Sequence, residues 1–413
     1  MKLLWLCNAA PGVIKEKISG KGRGGLWTDH VLEGLRAQPD LQIRVLCPDS
    51  GAEGTLDEAC SFRTFRSRLP HEYMPELEET FAAELSAFCP DVIHIWGTEY
   101  AHTLALVNAA EKTGFLEKVV ISIQGLCSVY AGHYAEGLPW RVIQGATFRD
   151  VVRRDNIDQQ RRKFALRGEN EVKALKKAGH VIGRTAWDKA CTGQINSVAE
   201  YHFCNETLRR PFFEDQWSYA ACRKHRIFAS SCVYPVKGFH YLLEALAEVV
   251  KRYPDVTVAV PGSSYLTVSP LRRSSYQAYL ADLTKKYGLE DKIEFLGSLS
   301  AEGMKEAFLA ANVFVMPSTI ENSPNSLGEA MILGMPAISA DVGGVTTMMN
   351  HGTEGYVYQS TAPYMLAYYI EEVFAMEEAA EAMGQAARAH ALKTHDPAVN
   401  LETLLNIYHE IGK

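Results

Sequence analysis

Short apolar runs, each followed by a helical pattern, recur along this chain and then begin a second time, and this double series constrains the fold more than any other feature. In the first half the strand-like runs fall at 2–7, 43–47, 92–96, 119–123, 180–183 and 201–203, with helical patterns at 27–37, 75–88, 101–113 and 170–178. The second series has strands at 227–230, 256–260, 293–296, 313–316, 337–340 and 355–358, with helices such as 239–251 and 301–311 between them. Strands alternating with helices predict a parallel sheet covered on both faces. Two series predict an α/β chain of two Rossmann-like parallel-sheet domains facing across a cleft. The boundary is expected within 212–221, before Arg223-Lys-His-Arg226 and the new first strand. The predicted division is 1–215, 216–392 and a C-terminal helix at 393–413.

At 413 residues, 47% hydrophobic and 22% charged, the chain has room for two cores. A net charge of −7 excludes a general nucleic-acid binder. The nine cysteines include no Cys-x-x-Cys, and their odd number fits a reducing compartment better than a disulfide framework. Met1-Lys-Leu-Leu-Trp-Leu-Cys7 has an apolar core too short for a secretory leader and reads as the first buried strand. No run approaches the length that crosses a bilayer, so a cytoplasmic protein is expected, with at most a peripheral contact at the inner membrane face.

The chemistry-bearing stretch lies in the second series. Glu321-Asn-Ser-Pro-Asn-Ser-Leu-Gly-Glu329 places two carboxylates with seven residues between them, after the apolar run 313–316 and Pro317. Ser323 as N-cap and Pro324 as first helical residue predict a helix start at 324 and a stop near Gly334. Glu329 then sits inside the helix and Glu321 on the loop before it. The two acids reach one space, outside the carboxyl end of a parallel strand, where open α/β sheets bind ligands. The alternative is two solvated charges, one on a loop and one on a helix face.

Met316-Pro-Ser318, Glu321, Glu329-Ala-Met331, Gly334-Met-Pro336 and Gly343-Gly344 together resemble the donor site of the retaining glycosyltransferases of family 4, which have the GT-B fold. The resemblance implies that Glu329 accepts the ribose hydroxyls of a nucleotide-sugar donor and that Glu321 holds donor-sugar hydroxyls. It implies that amides near Asn325 and Ser326 hold sugar or phosphate, and that the last helix returns to the first domain. Tyr234-Pro-Val-Lys237-Gly238 matches half of the family's phosphate-binding pattern. Lys237 is the expected cation, but Cys232 stands where the family has an arginine, and Arg184 is a candidate substitute. The segments ending at Gly262 and at Leu299 resemble those that hold the nucleoside.

The first domain matches more loosely. Gly20-Lys-Gly-Arg-Gly-Gly25 lies too far beyond the first strand for a dinucleotide fingerprint, yet its backbone amides meet a helix start, a setting that favours phosphate oxygens. The resemblance makes Gly24 and Gly25 donor contacts. The family's histidine after the 119–123 strand is Gln124 here, which can hydrogen-bond a sugar hydroxyl but cannot act as a cation or general acid. His94, among apolar strand neighbours, reads as a satisfied interior histidine; nothing in the sequence places Glu99 or His133 in the site.

No Asp-x-Asp occurs and no His/Cys cluster has metal spacing, so neither a metal nor another cofactor is expected, and the leaving diphosphate must be met by protein donors. By resemblance the reaction retains anomeric configuration, and the acceptor is a glycan or lipid-linked molecule of surface polysaccharide synthesis. A UDP- or GDP-sugar is the donor class. Residues 141–177 carry eleven basic against five acidic side chains, interleaved with apolar ones. This suits a basic amphipathic face on anionic lipid, or equally a solvated helical face. A nucleotide-sugar binding protein without turnover is the alternative function. A cofactor-bearing phosphorylase is disfavoured by length and by the lack of a Schiff-base lysine.

Overall fold

The structure is a computed structural model that describes residues 1–20 and 27–413. Gly24 and Gly25 therefore lie outside the described residues. The chain divides into two compact units: Met1–Ala131 with Lys163–Arg209 and His395–Lys413, and Gly132–Arg162 with Arg210–Thr394. This division departs from the expected continuous stretch 1–215. Residues 132–162 group with the second unit because hydrogen bonds tie them there: Thr147 Oγ1 donates to the Arg273 carbonyl at 2.6 Å, and Ser275 N donates to Asp150 Oδ2 at 2.7 Å.

The first unit contains β1 (Lys2–Cys7), β2 (Gln42–Pro48), β3 (Glu53–Thr55), β4 (Cys60–Phe65), β5 (Val92–Trp96), β6 (Val119–Ser122), β7 (His180–Gly183) and β8 (Glu200–Phe203). They form one sheet in the order β3-β4-β2-β1-β5-β6-β7-β8, parallel except for the β3–β4 pair. Period-two alternation sorts the β1 side chains between two cores. Leu4 and Leu6 join Ile93, Ile95 and the helix residues Leu77, Phe81 and Leu104, whereas Leu3, Trp5 and Cys7 join Val45, Leu32, Leu35 and Tyr408 on the other face. Burial on both faces is the reason β1 reads as a nearly unbroken apolar run. The helix Pro397–Ile411 supplies Tyr408, whose hydroxyl meets both the Trp5 indole at 3.2 Å and His94 Nδ1 at 2.5 Å.

The second unit carries β9 (Arg226–Phe228), β10 (Thr257–Val260), β11 (Ile293–Phe295), β12 (Val313–Met316), β13 (Ala337–Asp341) and β14 (Tyr356–Gln359), all parallel, in the order β11-β10-β9-β12-β13-β14. The chain builds outward from β9 through β10 and β11, then returns to place β12 on the other side of β9. The strand order thus reverses between β9 and β12, and the loops leaving those two strands open side by side at their carboxyl ends. In the first sheet the same reversal falls between β1 and β5.

Candidate active site

Lys237 and Glu321 occupy the two loops at the β9/β12 reversal. Lys237 Nζ lies 2.5 Å from Glu321 Oε1, and the same oxygen accepts the Ser318 hydroxyl at 2.8 Å. Backbone geometry sets this pairing. Lys237 ends a 3₁₀ turn, Pro235–Lys237, and Gly238 follows at φ 63°. A Cβ on Gly238 would sit 1.7 Å from the Pro317 carbonyl oxygen, so only glycine lets the lysine loop close onto the end of β12. Thr319 N donates to the Val236 carbonyl at 2.9 Å and fastens the same approach. On the other side, a Cβ on Gly343 (φ 52°) would meet the Glu321 carbonyl oxygen at 1.8 Å, and Gly344 N donates to that oxygen at 3.1 Å. The Lys-Gly and Gly-Gly pairs are thus what holds the Glu321 loop from both sides.

The helix Asn325–Leu333 begins one residue later than expected. Pro324 is its N-cap with extended backbone (ψ 116°), and no side chain caps it. Its carbonyl accepts from Leu327 N and Gly328 N, while Ser323 lies outside the helix. The first amides, those of Asn325 and Ser326, point out of an uncapped helix start, where the helix dipole favours anions. Glu329, only 2% exposed, lies on the second turn, and the Ser326 hydroxyl is 3.4 Å from that of Ser230, just after β9. Gly262 (φ 109°) and Gly297 exchange backbone hydrogen bonds of 2.7 and 3.2 Å, joining the ends of β10 and β11 two residues before Leu299.

Cys232, in the place of the expected arginine, is 4% exposed, and burial pushes its thiol up to about 11, so this position is neutral near pH 7. Arg184 does not supply the missing charge from a free side chain. Its Nη1 is 2.8 Å from Glu206 Oε1, with both side chains 4% exposed, and its Nη2 donates to Gln124 Oε1 at 3.2 Å. Gln124 is thereby grouped with Arg184 and Glu206 in a buried trio of the first unit.

Two residues that the sequence did not place have defined surroundings, His133 at the Glu321 loop and Glu99 in the first unit. The Thr319 hydroxyl, two residues before Glu321, donates to the His133 carbonyl at 3.1 Å, and the His133 imidazole pairs with Glu136 at 2.7 Å. Glu99 lines a cavity of about 320 Å³ in the first unit together with Cys7, Asn8, Trp96, Gln124 and Arg167. Burial raises its carboxyl to about 7, although Asn8 Nδ2 donates to it at 2.6 Å. This cavity opens at the β1/β5 reversal, and the sequence signal for Glu99 was its place three residues beyond the carboxyl end of β5. His94 is a satisfied interior histidine, held by Tyr408 and by Ser122 Oγ at 2.7 Å.

With this geometry in view, the family match falls on the second unit. Residues 218–390 match the family described as glycosyl transferases group 1. The chain is 30% identical over 161 residues to a D-inositol 3-phosphate glycosyltransferase of Streptomyces griseus, covering 38% of this chain and 34% of that protein. It is 26% identical over 177 residues to spore coat protein SA of Bacillus subtilis, covering 42% of this chain and 46% of that protein. The chain spans between a third and a half of the length of these curated relatives. Among solved structures, sucrose-phosphate synthase from Thermosynechococcus elongatus superposes with a TM-score of 0.73 at 16% identity, covering 100% of this chain and 99% of that one. HepE of Anabaena, in complex with UDP-glucose, gives 0.68 at 17% identity, with 99% and 100% covered. WaaG, a glycosyltransferase involved in lipopolysaccharide biosynthesis, gives 0.64 at 14%, with 99% of each chain covered. At such identities the likeness carries the fold, which is GT-B.

Proposed function

We propose that this chain is a retaining glycosyltransferase of family 4 that moves a hexosyl unit from a UDP- or GDP-sugar to a glycan or lipid-linked acceptor in surface polysaccharide synthesis. The observation that carries this reading is the 2.5 Å pair of Lys237 and Glu321, glycine-locked at the strand reversal. Before donor binds, each charge neutralises the other at a partly buried site. An arriving diphosphate offers the lysine a stronger anionic partner, which releases the Glu321 carboxylate to accept sugar hydroxyls beside the reacting carbon. Glu329 accepts the ribose hydroxyls, and the amides of Asn325 and Ser326 hold sugar or phosphate. The segments at Gly262 and Leu299 hold the nucleoside, and Gly24, Gly25 and Gln124 are further proposed donor contacts.

As the glycosidic bond breaks, negative charge grows on the leaving diphosphate. Lys237 and the uncapped helix start are fixed donors for it, which lowers the barrier without reorganisation during the step. The departing phosphate takes the acceptor proton on the same face, so configuration is retained and no enzyme nucleophile is needed. A metal is not required in this scheme. The UDP-glucose complex of HepE, a neighbour in fold, supports a nucleotide-sugar ligand. The neutral Cys232 and the engaged Arg184 favour a second reading, a nucleotide-sugar binding protein without turnover.

Purified protein screened against a panel of sugar nucleotides should be stabilised by one nucleoside class and should consume its sugar when acceptor is supplied. Lys237→Ala and Glu321→Gln should each lower turnover at least ~100-fold with melting temperature nearly kept. Near-normal rates in either variant would remove that residue from the mechanism. Activity should persist in excess EDTA; loss reversed only by added metal contradicts the metal-free scheme. Stabilisation without consumption for every acceptor class favours the binding protein.

The proposed location is the cytoplasm, at the inner membrane face. Trp140, Phe148, Val151 and Val152 are exposed by 64–72% on two short helices of the second unit, Trp140–Gln144 and Phe148–Arg153, among arginines. Among the described residues no helix is long and apolar enough to cross a membrane.

A further inference from the structure

The edge of the first sheet brings together side chains that glycosyl transfer does not use. β8 pairs in parallel with β7 in a register that sets His180 opposite Glu200 and Ile182 opposite His202. Residues two apart on a strand share a face, so His180, Glu200 and His202 project to the same side of this two-strand rim. His180 Nδ1 is 3.0 Å from His202 Nε2 and 3.5 Å from Glu200 Oε2, and all three ligand atoms lie within 4.8 Å of one another. A tetrahedral ion with bonds of about 2.0–2.1 Å holds its ligand atoms about 3.3–3.4 Å apart, and two edges of this triangle, 3.0 and 3.5 Å, lie on either side of that spacing.

The surroundings suit an ion. His202 is 8% exposed, and the Glu200 carboxylate is half exposed, leaving the fourth direction open to water. Glu410, on the helix Pro397–Ile411, faces the other ring nitrogen of His202, with Oε2 4.0 Å from Nδ1. A carboxylate on that side favours a proton on Nδ1 and leaves the Nε2 lone pair directed at the cluster. Without an ion, the two imidazoles can share only one N–H between them.

We propose that His180, His202 and Glu200 bind one divalent first-row transition ion of the zinc class, with water as fourth ligand. The ion clips edge strand β8 to β7, and Glu410 is a positioning residue that links the last helix to the same point. Two imidazoles and one carboxylate are a borderline-soft donor set that suits zinc or cobalt and not magnesium or calcium. The sequence hid the site because its ligands belong to adjacent parallel strands, 22 residues apart. The proposal stands independently of the transfer chemistry.

The full chain, dialysed against EDTA and then freed of it, is titrated with Co²⁺. One equivalent should give the intense visible bands of tetrahedral cobalt, equimolar Zn²⁺ should bleach them, and Zn²⁺ should raise the melting temperature. His180→Ala and Glu200→Gln lie at the sheet rim, and circular dichroism verifies their fold; each should weaken binding at least ~10-fold. Glu410→Gln should weaken it less and keep the tetrahedral spectrum. A weak octahedral spectrum without a one-equivalent break overturns the proposal, as does unchanged affinity in folded His180→Ala.

Discussion

Gly238 and Gly343 carry no reactive atom, yet they decide where Lys237 and Glu321 stand. Both have positive φ, and a Cβ at either would lie within 1.8 Å of a site carbonyl oxygen. Gly238→Ala and Gly343→Ala should each cost ~2–4 kcal/mol in denaturant unfolding and lose activity beyond what the stability loss explains. Gly262 is the internal control, because it also has positive φ (109°) but nothing lies within 4 Å of an added Cβ. Gly262→Ala should therefore cost only ~1 kcal/mol, from backbone strain alone. Equal losses at all three positions would refute the close-approach account. The sequence displayed Lys237-Gly238 and Gly343-Gly344 as local pairs. It did not show that each glycine is required by a carbonyl on a neighbouring loop, since that requirement exists for Gly238 only once β9 and β12 are neighbours and for Gly343 only once β12 and β13 are.

The helix Pro397–Ile411 docks on the first sheet through a buried polar cluster. His94 is fully buried between Tyr408 and Ser122, and desolvation lowers its pKa to about 3. Unfolded, it titrates near 6.5, so below that pH the unfolded chain binds a proton that the folded chain refuses until about 3. The stability linked to His94 is thus complete above pH ~6.5 and is lost as pH falls through that window. Between pH 7.5 and 5, His94→Gln should show a stability loss smaller than that of the parent by ~2 kcal/mol in urea unfolding. A parallel pH dependence in the two proteins would refute this assignment. Element by element, strands with unbroken apolar runs were legible because burial on both faces leaves that mark. β3 and β4 were not read from the sequence, being short, partly exposed and at the sheet margin, where Cys60-Ser-Phe-Arg-Thr-Phe65 is half polar. The helix Ile157–Leu175 is longer than the expected 170–178, because its polar first turns give little apolar periodicity.

For the whole molecule, charge counting along the sequence overstates the basic stretch 141–177. The division between the two units falls inside the helix Ile157–Leu175, so the stretch is no single face. Arg149 pairs with Asp150, Arg161 and Arg162 with Asp158, and Lys177 with Glu111. What remains for a bilayer is the exposed apolar group around Phe148 and Val152, with Arg153 and Arg154 nearby. Vesicles rich in anionic lipid should retain the protein at low salt and release it at high salt. Phe148→Ser with Val152→Ser should reduce retention ~10-fold, as expected for two apolar side chains leaving the interface. Equal binding to zwitterionic vesicles, or an unaffected double variant, would remove the membrane from the proposal.

The sequence by itself determined the repeated strand and helix series, the apolar strands and the loop residues available for chemistry, because periodicity, burial and turn chemistry act over a few neighbouring residues. Tertiary structure alone decided which of those residues meet. Lys237 and Glu321 are 84 positions apart and are joined by the adjacency of two parallel strands. Arg184 is drawn into a buried trio with Glu206 and Gln124, and residues 132–162 leave the unit that precedes them in sequence. Parallel neighbours are connected through long crossovers, so register and contact across them arise from packing, and spacing along the chain does not record them.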